Sequence, residues 1–366
     1  MKSGGVVGEP PAAESSAVEV LQAALGRVFS AAVLHVRHAE SVVCEKALGT
    51  YTPGGLPVDN GAIFDLASLT KLFVSTALLV LFDRRAFSLD DALAGVIPEF
   101  GGPNPRRGAV TFRQLLTHTS GLPAHVDFRD EPGREAIIAR VCAMPLAYTP
   151  GTRVVYSDLG FMLAGEALMR LSGLPLQDAV RTLVLEPLDA SSVGYKPPRQ
   201  LHERIVATED DAWRGLLRGQ VHDENCWAMG AVSGHAGLFG CASDVAQLGR
   251  LYRGAGAVGP SRILLRATAN AAIREQACAE DERRGLGWAL KSGDHLSCGA
   301  KFSWDSFGHT GYTGTSLWVD PQRALIVALL TNRVQLTRDP EPIRALRAAV
   351  NDAVVKDIES AAGNGA

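Results

Sequence analysis

The stretch DLASLTKLFVSTALLVLF, residues 65–82, decides how this chain is read. From Leu72 onward it is almost wholly apolar, lacks Gly and Pro, and is too long for a typical strand. It therefore predicts a buried helix over 68–82. Yet Ser68 and Lys71 stand at its front end. Three residues apart on a helix, their side chains share a face. A serine in the first turn lies near free backbone N–H groups and the positive end of the helix dipole. Such groups can stabilise an oxyanion. A lysine in apolar surroundings sheds its proton more easily and can activate a neighbouring serine. An N-cap serine followed by a surface lysine accounts for the same pair, so the pair alone leaves both readings open.

The chain has 366 residues, a net charge of −3 and an apolar fraction of 46%. That suffices for a sizeable core and gives no sign of a nucleic-acid or anionic-membrane partner. LFVSTALLVLF is shorter than the roughly 20 apolar residues of a membrane span, and Lys71 and Asp83 flank it. The N-terminus has no apolar signal-peptide core, so a cytoplasmic location is expected, or a periplasmic one if a leader has been removed. The cysteines at 44, 142, 226, 241, 278 and 298 are scattered, which predicts free thiols rather than a disulfide framework or a zinc knuckle.

Residues 1–14 read as a disordered tail. A helix is predicted at 17–29 and a hairpin at 31–37 and 40–49. Helices are predicted at 111–118, 133–144, 157–173 and 175–188, and again at 243–254, 266–277 and 341–361. Strands are predicted at 285–291, 306–311, 315–320 and 323–333. The order implies an α+β fold: an antiparallel sheet flanked by helices, with an all-helical insertion. Segments 15–87 and 216–366 would build the sheet domain, 88–215 the mostly helical one, and the active site would lie between them.

Two further pieces bear on chemistry. In YSDLG, Tyr156 and Asp158 precede a helix, and Asp158 could serve as its N-cap. In FGHTGYTGTSLWVD, His309, Thr310 and Gly311 end a strand whose edge could bind a substrate backbone. Taken in order, S-x-x-K, Y-x-D and H-T-G resemble the serine β-lactamase and penicillin-binding protein superfamily. The likeness runs from about 17 to 355 and includes FDLASLTK, LLTHTSGLP, PGTRVVYSDLGF, VHDENCWAMGAVSGHAGLFG and GHTGYTGTSLWVDP. It is nearest to the class C β-lactamase-like branch, which also holds esterases, DD-carboxypeptidases, D-amino-acid peptidases and muramyl amidases.

The resemblance implies roles and a β-lactamase/DD-peptidase-like fold. Ser68 would be acylated and Lys71 would take its proton. Tyr156 would pass the proton to the leaving group and later activate water. The backbone N–H groups of Ser68 and Tyr312 would form the oxyanion hole, and His309, Thr310 and Gly311 would line the substrate strand. The implied activity is a serine hydrolase cleaving an ester or an amide/peptide bond, with no cofactor and a small-molecule or peptide substrate. The alternatives are a penicillin-binding or sensor module that acylates without turnover, and an acyltransferase using the same site.

Two departures matter. His309 stands where lysine is usual, and a histidine is mostly neutral at pH 7. That weakens the case for β-lactams and D-Ala-D-Ala ends. Asp158 stands where asparagine is usual; ionised, it cannot donate a hydrogen bond and could instead hold Lys71 by charge. The stretch 221–237 concentrates His222, Asp223, Glu224, Asn225 and His235. It shows no recognised metal-ligand spacing and is expected to be a loop lining the cleft, with His222 and His235 toward substrate, or else a hydrogen-bonded structural turn. Ser233 and His235 lack a G-x-S-x-G frame, which argues against a Ser-His-Asp hydrolase. His35 and His38 are expected at the surface, and the tryptophans at 213, 227, 288, 304 and 318 in the core or cleft wall. The oligomeric state is not legible.

Overall fold

The computed structural model describes residues 15–102, 104–279, 282–293 and 297–363. The tail expected at 1–14 lies outside the described residues. The chain opens with helix α1 (Ser16–Ala24) and a hairpin, β1 (Ala31–His38) and β2 (Ser41–Gly49). The central helix α2 (Thr70–Asp83) follows. Helices α3 (Arg134–Ala143) and α4 (Asp158–Ser172) belong to the middle block, whose last helical turn ends at Leu188. The segment 190–237 returns toward the sheet with few regular elements. Helix α5 (Ala242–Arg253) leads to strands β3 (Ala277–Ala279), β4 (Glu282–Arg284), β5 (Ala289–Leu290), β6 (Phe307–Thr310), β7 (Ser316–Asp320) and β8 (Leu325–Thr331). Helix α6 (Glu341–Gly363) closes the described chain.

The eight strands form one antiparallel sheet in the order β3-β4-β5-β6-β7-β8-β1-β2. Both ends of the chain therefore meet where β8 pairs with β1. Strand β8 is buried along its whole length, and its side chains alternate between the faces. Leu325, Val327 and Leu329 pack with α1 and α6. Ile326, Ala328 and Leu330 join the main core with α5 and α2. The fold is α+β, with helices on both faces of the sheet.

Helix α2 is apolar all round because it is enclosed all round. From Ala62 to Leu81 every residue is buried except Ser68, which is half-buried. The polar serine is thus the one point where this central element meets a cleft.

Several expected boundaries shift. The first helix stops at Ala24, and a bridge between Leu25 and Phe29 replaces its last turn. The helix expected over 266–277 ends at Ala272, and Ala277–Ala279 becomes an edge strand. The strand expected over 285–291 is reduced to Ala289–Leu290, because Gly287 turns the chain at φ +84°. His35 is not a surface residue. It lies on an interior strand directly across from Glu45, and its Nδ1 is 2.7 Å from Glu45 Oε1. Burial pushes its pKa down despite that carboxylate. Trp288 and Trp318 are core residues, whereas Trp213 and Trp304 are exposed beneath Arg214 and Arg283. The cysteines are free, with 142, 226, 241 and 298 buried.

The sheet core makes a direct stability prediction. Leu329 is 1% exposed at the packed face of β8, while Leu56 is 77% exposed. Leu329→Ala should lower unfolding free energy by about 2–5 kcal/mol in a denaturant titration. Leu56→Ala should change it by less than about 0.5 kcal/mol.

Candidate active site

The site is built on the turn before α2. Phe64 and Asp65 pair with Leu238–Gly240, which ties this turn to the segment beginning at 221. Asp65 is buried; Oδ1 accepts from the Ala67 N–H at 2.8 Å and Oδ2 from the His222 N–H at 2.7 Å. Ala67 sits at φ +45°, a left-handed conformation that costs a non-glycine residue energy. Ala67–Leu69 form a 3-10 turn, so the α-helix begins at Thr70 rather than at 68. The strained turn lifts Ser68 to the cleft while Lys71 is still one short step behind it.

Lys71 is fully buried and donates from Nζ to Ser68 Oγ at 2.9 Å and to the His235 carbonyl at 3.0 Å. Its Nζ also lies 2.8 Å from Asp158 Oδ1. Two hydrogen-bond acceptors and the Asp158 carboxylate, which pairs with it by charge, thus surround the ammonium. Burial pulls the Lys71 pKa down, but Asp158 and Tyr156 outweigh it and hold the pKa above the ordinary lysine value. Burial works against the Asp158 charge as well, yet Lys71, His125 and His235 hold its carboxyl well below the usual range. The resting pair is ammonium and carboxylate. The charge reading of Asp158 therefore applies, and the helix N-cap is Ser157, whose Oγ accepts from Gly160 N–H at 3.2 Å.

Tyr156 sits just before α4 with its ring centroid 4.8 Å from Lys71 Nζ. Burial raises the pKa of its hydroxyl, which the nearby Lys71 charge only partly offsets, so the hydroxyl is protonated. His118 packs behind it, with ring centroids 4.6 Å apart. His118 Nδ1 accepts from the Ser157 N–H at 3.0 Å. Burial, then the charges of Arg284 and Lys71, push its pKa well down, so this neutral imidazole fixes the Tyr156–Ser157 backbone.

The other wall is the end of β6. Strand β5 pairs with Phe307 and Gly308, leaving the edge at His309 and Thr310 free of that neighbour. His309 is buried, and its Nδ1–H donates to the Thr310 carbonyl at 2.8 Å. Burial, Lys71 and Arg284 push its pKa down to about 3, so it is neutral near pH 7. That leaves Nε2 as a buried acceptor without a partner. Beyond it the chain turns through Gly311–Thr315. A Cβ at Gly311 would lie 2.1 Å from Thr315 Oγ1 and 2.6 Å from the Leu66 carbonyl, so only glycine fits there. Thr313 and Thr315 donate to the carbonyls of Asp65 and Leu66, which locks this turn against the Ser68 turn.

The 221–237 stretch divides into two roles. His222 reaches the cleft wall, where its ring stacks on Tyr312 at 5.7 Å and Nε2 pairs with Glu209 at 2.6 Å. His235 does not line the cleft. Its ring is turned inward, with Nδ1 2.8 Å from Ser233 Oγ and Nε2 2.8 Å from Asp223 Oδ1. Only its backbone carbonyl serves the site, through Lys71. Ser233, His235 and Asp223 do form a hydrogen-bonded line, but Ser233 is buried at 1% exposure. The sequence argument against it as an exposed nucleophile agrees with that burial. Among the described residues, no group of three or more His, Cys, Asp or Glu side chains is placed to hold a metal ion.

A cleft of about 710 Å³ covers Ser68, Tyr156, Asp158, His222 and His309–Tyr312. Arg284, Arg333 and Arg347 also line it. Sequence reasoning named none of Asp65, His118, Asp223 as an anchor, Arg284 or the arginines of α6. Asp65 and His118 lie inside FDLASLTK and LLTHTSGLP, so the motif pieces pointed to them; nothing local distinguishes Arg347 from an ordinary helical arginine. No helix among the described residues is long and apolar enough to cross a membrane.

The beta-lactamase family model matches residues 18–352. An Escherichia coli (strain K12) protein named "Putative D-alanyl-D-alanine carboxypeptidase" is 30% identical over 309 residues, covering 75% of this chain and 70% of that one. Among solved structures, EstCE1, a hydrolase with promiscuous acyltransferase activity, superposes with TM-score 0.76 at 21% identity, over 92% of this chain and 97% of that one. A class C beta-lactamase from Rhodobacter sphaeroides gives TM-score 0.75 at 19% identity, over 94% and 99%. A penicillin-binding protein homologue from Caulobacter crescentus gives 0.74 at 22%, over 92% and 96%. These structural likenesses share the fold, the family match spans most of the sequence, and the chain belongs to the beta-lactamase family.

Proposed function

We propose that this protein is a serine hydrolase that cleaves an ester or an amide/peptide bond through an acyl-enzyme on Ser68. The observation that carries this reading is the contact of Lys71 Nζ with Ser68 Oγ at 2.9 Å, beneath Tyr156 and facing the Gly311–Thr315 turn. In the reaction, Lys71 first loses a proton to solvent; the Ser68 oxygen then attacks the carbonyl carbon as its own proton passes to the neutral Lys71 amine. The Ser68 and Tyr312 backbone N–H groups receive the developing oxyanion. As the tetrahedral species collapses, Tyr156 delivers a proton to the leaving oxygen or nitrogen and is reprotonated by Lys71, which regenerates the neutral amine. The same groups then activate water, and its attack releases the acid and restores Ser68.

The neutral His309 bears on substrate choice. With its pKa pushed down to about 3, it offers an acceptor rather than a cation to whatever lies along β6. That favours a substrate presenting an N–H or O–H there over one relying on a lysine-like charge. Simple esters are the first substrates to test, followed by D-alanyl peptides, which the name of the Escherichia coli relative suggests.

Ser68→Ala should abolish turnover of a 4-nitrophenyl ester and labelling by a fluorophosphonate. Ser233→Ala should retain both. Loss of labelling in Ser233→Ala with retention in Ser68→Ala would move the nucleophile to the Ser233–His235–Asp223 line.

Asp158→Asn tests the state of the base. The carboxylate holds the Lys71 pKa up, and the base form exists only above that pKa. Removing the charge leaves burial to dominate, so the pKa falls. The acid limb of kcat/KM should move to lower pH, by about one unit or more. A fall in kcat at every pH with no movement of the limb would instead make Asp158 a proton relay.

A further inference from the structure

The geometry points to Arg347 as a positioning residue that strengthens the oxyanion-hole donor by polarising the Gly311–Tyr312 peptide. This rests on the reading of Tyr312 N–H as an oxyanion donor. The Gly311 carbonyl and the Tyr312 N–H belong to one amide. Arg347 Nη2 donates to that carbonyl at 2.7 Å, and to the Thr315 carbonyl at 2.9 Å. A charge-assisted bond of this kind draws density onto the amide oxygen and leaves the N–H on its other side a stronger donor. The guanidinium thus acts on the oxyanion through one conjugated unit.

The neighbourhood of Arg347 fits this use better than a packing role. Apart from Arg333, the cleft arginines near it are neutralised: Arg338 by Glu209 and Glu224, Arg344 by Glu341, and Arg284 by Glu282. Arg347 is 7% exposed, and among the described residues it has no ion-pair partner. Its Nε–H is also without a hydrogen-bond partner. A buried unpaired cation is costly, and an apolar residue on α6 would avoid that cost. Burial, then Arg333 and Arg344, push its pKa down to about 9, which keeps it charged at pH 7. Arg333 repeats the arrangement one peptide further on. Its Nε donates to the Tyr312 carbonyl at 2.8 Å, its other partners are the Thr337 and Asp339 carbonyls, and it too has no ion-pair partner among the described residues. Two uncompensated cations therefore stand directly behind the turn where negative charge would develop.

The test compares wild type, Arg347→Met and Arg347→Lys, with kcat and KM for a 4-nitrophenyl ester and the affinity for an arylboronic acid. The boronic acid accepts the Ser68 oxygen as a fourth ligand on boron, keeps both hydroxyls and releases the serine proton to the base, giving a tetrahedral anion. Arg347→Met should lose about tenfold or more in kcat and in boronate affinity together, with KM within about twofold. Arg347→Lys should recover part of both. If Arg347→Met does not fold, Arg347→Lys alone should show a smaller matched loss. A variant that melts earlier yet keeps kcat and boronate affinity would overturn the proposal, as would a loss confined to KM. A wild type that neither turns over the ester nor binds the boronate would instead overturn the hydrolase reading on which this one rests.

Discussion

The buried pair of Lys71 and Asp158 is the constraint on which the rest of the site depends. An ammonium with no solvent exposure cannot stand alone in an apolar helix bundle. Its neighbours are therefore arranged to compensate it: a carboxylate from the start of α4 pairs with it, and a carbonyl at His235 and the hydroxyl of Ser68 accept from it. Those partners come from separate parts of the chain, so the charge draws them to one point. The arrangement also holds Lys71 in its protonated form at rest. The proposed chemistry at Ser68 then requires Lys71 to give up a proton, which the Asp158 carboxylate opposes.

The fold supplies the pieces in a way that follows from its connectivity. The chain ends meet at the β8–β1 pairing and fix one wall, with His309–Tyr312 at the end of β6. The middle block fixes the other, with Tyr156 at the mouth of α4. Helix α2 passes between them and is enclosed everywhere but at Ser68. The strained turn at Ala67 and the tightly packed turn at Gly311 face one another, joined by the hydroxyls of Thr313 and Thr315. In the proposed reaction, small displacements in either turn would move the groups that meet across the substrate carbonyl, and each turn is pinned by several hydrogen bonds. This is the geometry of a hydrolase of the beta-lactamase type.

Much of this was legible in the sequence, for identifiable reasons. Helix α2 announced itself by an apolar run too long for a strand, and the hairpin at 31–49 by alternation around a short turn. Ser68, Lys71, Tyr156 and His309 lay in short ordered motifs. The failures were of a different kind. His35 read as a surface residue because its partner, Glu45, is local to the strand pairing and invisible before the register is known. His235 carried a tempting side chain, yet the site uses its carbonyl, and sequence does not report which atom of a residue faces a cleft. Arg347 sits in an ordinary amphipathic helix, and its contact with the Gly311 carbonyl spans 36 positions. The sign of the Asp158 effect on Lys71 needed the 2.8 Å separation, because burial and charge oppose each other there.

The most direct measurement is mass spectrometry of the intact protein quenched in acid during turnover of a slow ester, followed by tryptic mapping. The account predicts a mass gain of one acyl group, carried by the peptide of residues 47–71 and localised to Ser68. Turnover with no acylated species under any quench, or an acyl group mapped to another residue, would contradict it.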